Sequence, residues 1–164
     1  MGHFDETICD CCVCPMQCIL EQLIGMNVTI LLEEDELEGT IIDVKNFVVS
    51  FDIENSGIII FIMVRDVCAV GLDEAFDFKV KDIRKSKGVC SCIEEPATNL
   101  AKSMIGKMIV LVYCNELESD GTVTQVGEGI VILSDDTFKN FETIAISSCR
   151  INIIAPPEVD LNMR

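Results

Sequence analysis

The sequence predicts a mainly β protein built as two tandem five-stranded units, each preceded by a short helix. Three observations predict it. Shifted against itself by 81 positions, the chain lays Cys9 and Cys11 over Cys90 and Cys92, Pro15 over Pro96, Gly25 over Gly106 and Cys68 over Cys149. Short β-branched and apolar runs, bounded by Gly, Asn and acidic residues, recur in the same order in both halves. Before each set of runs stands a proline-opened segment with apolar residues at helical spacing.

In the first unit, Pro15 opens a helix whose apolar side is Met16, Ile19, Leu20, Leu23 and Ile24, and Gly25 stops it. Strands follow at Val28–Leu32, Gly39–Val44, Phe47–Phe51, Ile58–Val64 and Val67–Val70, with an acidic turn from Glu33 to Glu38. The second unit repeats this: a helix over Pro96–Ile105, then strands at Lys107–Cys114, Gly121–Val126, Ile130–Leu133, Thr143–Ile146 and Cys149–Ile154. One residue is inserted before Gly121, so the later strings match at a longer spacing. The expected organisation is a cysteine-rich arm at 1–14, unit one at 15–72, a linker at 73–89, unit two at 90–155 and a tail at 156–164. The linker carries Lys79, Lys81, Arg84, Lys85 and Lys87, read as a solvated face.

A unit of about 80 residues buries little core and gains from packing against its sister or another subunit. With 28 acidic against 12 basic side chains, the formal net charge is −16. That disfavours nucleic acid and anionic membranes as partners. The mean hydropathy is +0.40, yet runs such as Ile58–Val64 fall far short of the roughly 20 residues that span a bilayer and read as buried strands. Met1 to Leu20 has neither a basic region nor a clean apolar stretch of the kind a secretory signal needs, so synthesis in the cytosol is expected.

The 10 cysteines conflict with a cytosolic life, because stable disulfides are rare in reducing compartments. Either the thiols bind metal, or the protein meets an oxidising environment later, as when a sporulating cell lyses. Cys9, Cys11, Cys12, Cys14 and Cys18 crowd into ten residues. Such an arm can offer thiols to several partners, since disulfide geometry disfavours bridges between adjacent cysteines. The disulfide candidates are Cys9, Cys11, Cys12, Cys14, Cys68, Cys90, Cys92 and Cys149, with Cys9 or Cys11 to Cys68 and Cys90 or Cys92 to Cys149 as possible pairs, within a unit or between subunits. Cys18 and Cys114 read as small core residues. The alternative is a metal site on Cys9, Cys11, Cys12 and Cys14, whose Cys-x-x-Cys spacings suit zinc.

No catalytic set emerges. His3 is the only histidine, and neither a P-loop nor a dinucleotide-binding glycine pattern is present. The acidic turns Glu33–Glu38 and Glu116–Asp120 lack EF-hand spacing and read as solvated. No cofactor is expected.

A short helix followed by five strands, with a glycine in the bent second strand, resembles the Sm-like small β-barrel. The segment from Gly39 through Val44, Lys45, Asn46, Phe47, Val48 and Val49 looks like the corresponding stretch of the bacterial Sm-like RNA chaperone, and Ile62–Val70 is similar to its later motif. The resemblance implies two tandem five-stranded small barrels and edge-to-edge association, commonly into rings. It does not carry the RNA chemistry. The family's Asp is Lys45 here and Gly127 in the second unit, and its Tyr-Lys-His triplet is replaced by Val64-Arg65-Asp66 and by Ile146-Ser147-Ser148. A single Tyr and no Trp leave few platforms for stacking bases. The run from Cys9 to Cys18, with the acidic character, also resembles the cysteine-rich self-assembling coat, exosporium and appendage proteins of Firmicute spore surfaces. The expectation is therefore a structural subunit whose partner is itself. It would form a ring, sheet or filament locked by intermolecular disulfides on a spore surface. A metal- or redox-responsive binding module is the alternative, and an RNA-binding Sm-like protein the third.

Overall fold

The computed structural model describes residues 11–83 and 90–158. The chain runs α1 (Val13–Glu21), β1 (Asn27–Leu31), β2 (Glu36–Lys45), β3 (Val48–Ile53), β4 (Ile59–Met63) and β5 (Ala69–Leu72). It continues with α2 (Cys90–Ile93), α3 (Glu95–Lys102), β6 (Met108–Tyr113), β7 (Leu117–Gly127), β8 (Ile130–Asp136), β9 (Phe141–Ser147) and β10 (Ile151–Ala155). Short 3-10 turns at Val64–Asp66 and Ser148–Arg150 precede β5 and β10.

All ten strands belong to one antiparallel sheet in the order β10-β6-β7-β8-β9-β5-β1-β2-β3-β4. The first unit contributes its strands as 5-1-2-3-4, and the second repeats that order with β10, β6, β7, β8 and β9. The two sets meet where β5 pairs β9, with Ala69 opposite Ile146, Val70 opposite Ala145, Gly71 opposite Ile144 and Leu72 opposite Thr143. The mainly β class expected from the sequence holds, and the two five-stranded sets are joined edge to edge in a single sheet. The edge groups that a strand must satisfy are met at the joint by the sister unit.

The duplication extends to the hydrogen bonds. Gly25 N–H donates to the Ile41 carbonyl at 2.7 Å, and Gly106 N–H donates to Val123 at 2.8 Å. Val64 N–H donates to Phe47 at 3.0 Å, and Ser148 N–H to Gly129 at 2.9 Å. Both second strands carry a β-bulge, after Ile41 and after Val123. The glycine in each has a steric reason: a Cβ at Gly39 would lie 2.2 Å from the Asp52 carbonyl oxygen, and one at Gly121 would lie 2.4 Å from that of Ser134.

The core divides in two, and the strands at the joint feed both halves. One cluster holds Leu20, Ile30, Phe51 and Val70 with Ile130, Ile132 and Ala145 of the second unit. The other holds Leu111, Val123 and Phe141 with Leu31, Cys68 and Ala69 of the first. Alternate residues point to opposite faces of a strand. So Ala145 faces one core while Ile144 and Ile146 face the other. Ile130–Leu133 and Ala69–Leu72 are buried at every position, and this is why they read as unbroken apolar runs rather than alternating ones.

The start of the expected linker is packed. Residues 73–83 cross the joint as an irregular strap with Phe78 buried in the first core. Gln22 Nε2 donates to the Lys79 carbonyl at 2.9 Å and Lys79 N–H donates to Gln22 Oε1 at 2.8 Å. On the other side Phe76 N–H donates to Thr143 Oγ1 at 3.1 Å and Gln125 Nε2 donates to Asp77 Oδ1 at 2.8 Å. The strap therefore touches both units. Arg84, Lys85 and Lys87 lie outside the described residues.

The joint leaves little spare room. A Cβ at Gly71 would come within 2.5 Å of the Phe141 ring. Gly71→Ala is expected to destabilise the protein by about 1–3 kcal/mol through overpacking, read as a lowered thermal midpoint. An unchanged midpoint would show that β5 and β9 are not packed this closely.

Candidate functional site

The cysteines concentrate where the two units meet. Cys12, at the start of α1, forms a disulfide with Cys149 in the 3-10 turn before β10, with Cα atoms 6.1 Å apart. Cys68, just before β5, forms one with Cys114, just after β6, with Cα atoms 6.2 Å apart. Both separations are ordinary for a disulfide. Both bridges run from the first unit to the second, so they weld the units across the joint. Cys149 N–H also lies 3.2 Å from Cys12 Sγ.

This departs from the sequence expectation in three ways. Cys68 pairs with Cys114 rather than Cys9 or Cys11, and Cys149 pairs with Cys12 rather than Cys90 or Cys92. Cys114, read as a small core residue, is a disulfide partner. Cys149 lies in the 3-10 turn and not on β10. Cys12, expected as part of the arm to bridge to a neighbouring subunit, is paired within the chain, as are Cys68 and Cys149, for which both kinds of bridge were open. Their sulfurs are spent within the chain, because the β5–β9 pairing brings the two units against each other.

Three of the four cysteines of the alternative ligand set are engaged in disulfides. Cys11 and Cys14 are disulfide-bonded as well as Cys12, so these three are not thiolate ligands in this structure. Cys9 and His3 lie outside the described residues, as does the side chain of Cys90. Among the described residues, no group of three or more His, Cys, Asp or Glu side chains is placed to hold a metal ion. Cys18 is a buried thiol on α1, and burial pushes its pKa up while nearby Lys81 pulls the other way. Cys92 lies exposed on α2.

A second polar cluster, not foreseen from the sequence, lies at the β8–β9 turn. Asp136 is buried, and its Oδ1 accepts from the backbone N–H groups of Asp120, Phe138 and Lys139 at 3.3, 3.1 and 3.3 Å. Its Oδ2 has no hydrogen-bond partner. Burial pushes the Asp136 carboxyl above the usual carboxylate range, against the pull of those N–H donors. Asp120 accepts from Thr137 N–H and Thr137 Oγ1, both at 2.6 Å. Much of this cluster's hydrogen bonding closes the turn, so the acidic stretch ending at Asp120 is partly structural rather than wholly solvated.

Part of the exposed apolar surface lies at or near the free edges. Ile58, Ile59 and Phe61 are exposed on and beside β4, and Phe47 is exposed in the β2–β3 turn. On the second unit, Leu100 is exposed on α3. Among the described residues, no helix is long and apolar enough to cross a membrane.

Comparison with protein-family models, with curated proteins and with solved structures finds no match.

The two bridges close loops of 137 and 46 residues in sequence separation. Replacing Cys68 and Cys114 together by Ala is expected to cost about 2–4 kcal/mol of stability in the oxidised protein. Under reducing conditions the difference from wild type should shrink. Peptide mapping without reductant should recover Cys12 joined to Cys149 and Cys68 joined to Cys114. Recovery of Cys68 or Cys149 joined to a different cysteine would contradict the geometry.

Proposed function

We propose that this protein is a structural, self-assembling subunit, hardened internally by disulfides and joined to further copies of itself through its strand edges. The observation that carries the reading is the open end of the sheet. β4 is an edge strand with Ile59 and Phe61 exposed, and an exposed apolar edge strand is a template for pairing with another chain. Natural monomers blunt such edges with lysine, proline or bulges, whereas β4 reads Ile-Ile-Phe-Ile-Met.

The disulfides support a working place outside a reducing compartment. With the resemblance of the Cys9–Cys18 run to Firmicute spore-surface proteins, the proposed location is a spore surface or another extracellular assembly, reached after the cell that made it lyses. Covalent locking between subunits would fall to cysteines other than Cys11, Cys12, Cys14, Cys68, Cys114 and Cys149, which are already in disulfides. The acidic excess acts as a brake: subunits of net charge −16 repel one another at low ionic strength.

Oxidised protein, studied by sedimentation and negative-stain electron microscopy over a range of protein and salt concentrations, tests this. Assemblies should grow with protein concentration and be favoured by salt that screens the repulsion. A monomer that persists at millimolar protein and at high salt would remove the reading.

A further inference from the structure

The sheet contains, inside one chain, a worked example of how one unit docks on another, and both of its ends carry the unused halves of the same joint. In the internal joint, β9 is the fourth strand of its unit and β5 the fifth strand of the other. The two free edges are β4, a fourth strand, and β10, a fifth. Equivalent positions follow from the pairings. Ala69 lies opposite Leu31 as Ile153 lies opposite Val112, and Ile146 lies opposite Val131 as Ile62 lies opposite Val49.

Residues that the joint buries have counterparts that stand uncovered. Ala145 of β9 is fully buried, while its counterpart Phe61 on β4 is 66% exposed. Thr143 is buried, and its counterpart Ile59 is exposed. On the receiving side, Ile19 of α1 is 1% exposed, while Leu100, which holds the same place on α3, is 46% exposed. An unbroken apolar run marks a strand covered on both faces. β9 receives that cover from the first unit, whereas β4 has the composition for it without the cover.

We propose that copies of this chain join head to tail, β4 of one pairing with β10 of the next in the register that β9 and β5 adopt within the chain. Ile62 then lies opposite Ile153, Phe61 opposite Ile154 and Ile60 opposite Ala155. The occupant of each free edge is a second copy. This rests on the self-assembly reading above and specifies its contact.

The joint between copies is a variation on the internal one. Gly129 packs closely on Pro15 of α1, where a Cβ would come within 2.9 Å of the proline ring. Its counterpart is Phe47, held at a left-handed φ of 63°, which strains a bulky side chain. On the receiving helix the place of Pro15 is held by Pro96, so the ring of Phe47 meets a proline where the internal joint has a bare glycine. Because the two edges differ, the contact is heterologous and propagates into a closed ring or an open filament.

The test uses the full oxidised chain and two kinds of variant. Phe61→Lys blocks the β4 edge, and Ile153→Lys blocks the β10 edge; Leu100→Lys blocks the same end from α3, away from the strand. Each should keep the wild-type thermal midpoint and sediment as a monomer where wild type assembles. A mixture of Phe61→Lys with either of the other two should give a dimer and nothing larger, because one intact β4 then meets one intact β10. If Phe61→Lys assembles like wild type, or if the mixtures stay monomeric, the proposed joint is wrong although self-assembly stands. If Ile153→Lys and Leu100→Lys both still assemble while Phe61→Lys does not, a symmetric β4–β4 contact replaces it. A wild type that never assembles overturns both readings.

Discussion

The pairing of β5 with β9 is the constraint on which the rest of this structure depends. It is a short ladder of four residue pairs, but both core clusters draw on the strands that flank it. A unit of this size closes only part of its own core. Here the deficit is met by exchange: Leu31, Cys68 and Ala69 cross to the second unit's core, while Ile130, Ile132 and Ala145 cross to the first. Separating the units would therefore expose apolar surface on both sides and leave two strand edges unpaired.

The covalent bonds and the strap reinforce the same seam. Cys12–Cys149 and Cys68–Cys114 both cross it. The strap from 73 to 83 packs on one unit and donates to Thr143 of the other. A cross-link between two well-packed units constrains their separated state most, since long loops are closed. The net charge of −16 opposes compaction everywhere. The joint is thus the place where the molecule concentrates its defence against its own repulsion, and a further copy docking on it would have to overcome the same repulsion.

Much of the fold is written locally and could be read that way. Pro15 and Pro96 mark the helices, Gly25 and Gly106 end the turns after them, and the β-branched runs fall on strands. Which edges meet is a long-range matter that no local pattern encodes, and the pairing of β5 with β9 could not be read from either unit alone. The cysteines show the limit most clearly. Gly25 and Gly106 are 81 residues apart, but Ile62 and Ile146, equivalent in the sheet, are 84 apart. One extra residue before Gly121 and two in the β8–β9 connection shift the frame. Cys149 matches Cys68 by spacing, yet in space it stands with Arg65 of the first 3-10 turn. The triplet equivalent to Val64-Arg65-Asp66 is likewise Ser148-Cys149-Arg150. Cys114 was legible only as an apolar-strand residue, because its partner comes from the other unit. The continuous apolar run of β4 is legible in the sequence and predicts a buried strand. The structure leaves that strand at an edge, and this mismatch points outward to a partner.

The central claim is that the two units are one cooperative body joined at β5–β9. Amide hydrogen exchange measured residue by residue tests it most directly. The Ser147 N–H, which donates to the Cys68 carbonyl across the joint at 3.0 Å, and the amides of β5 and β9 around it should exchange only through global unfolding, with the slowest rates in the chain. The amides of the free β4 edge should exchange much faster in the monomer. Joint amides that exchange as fast as those of β4, with each unit's inner strands protected to a different level, would mean that the units open independently and would contradict the account.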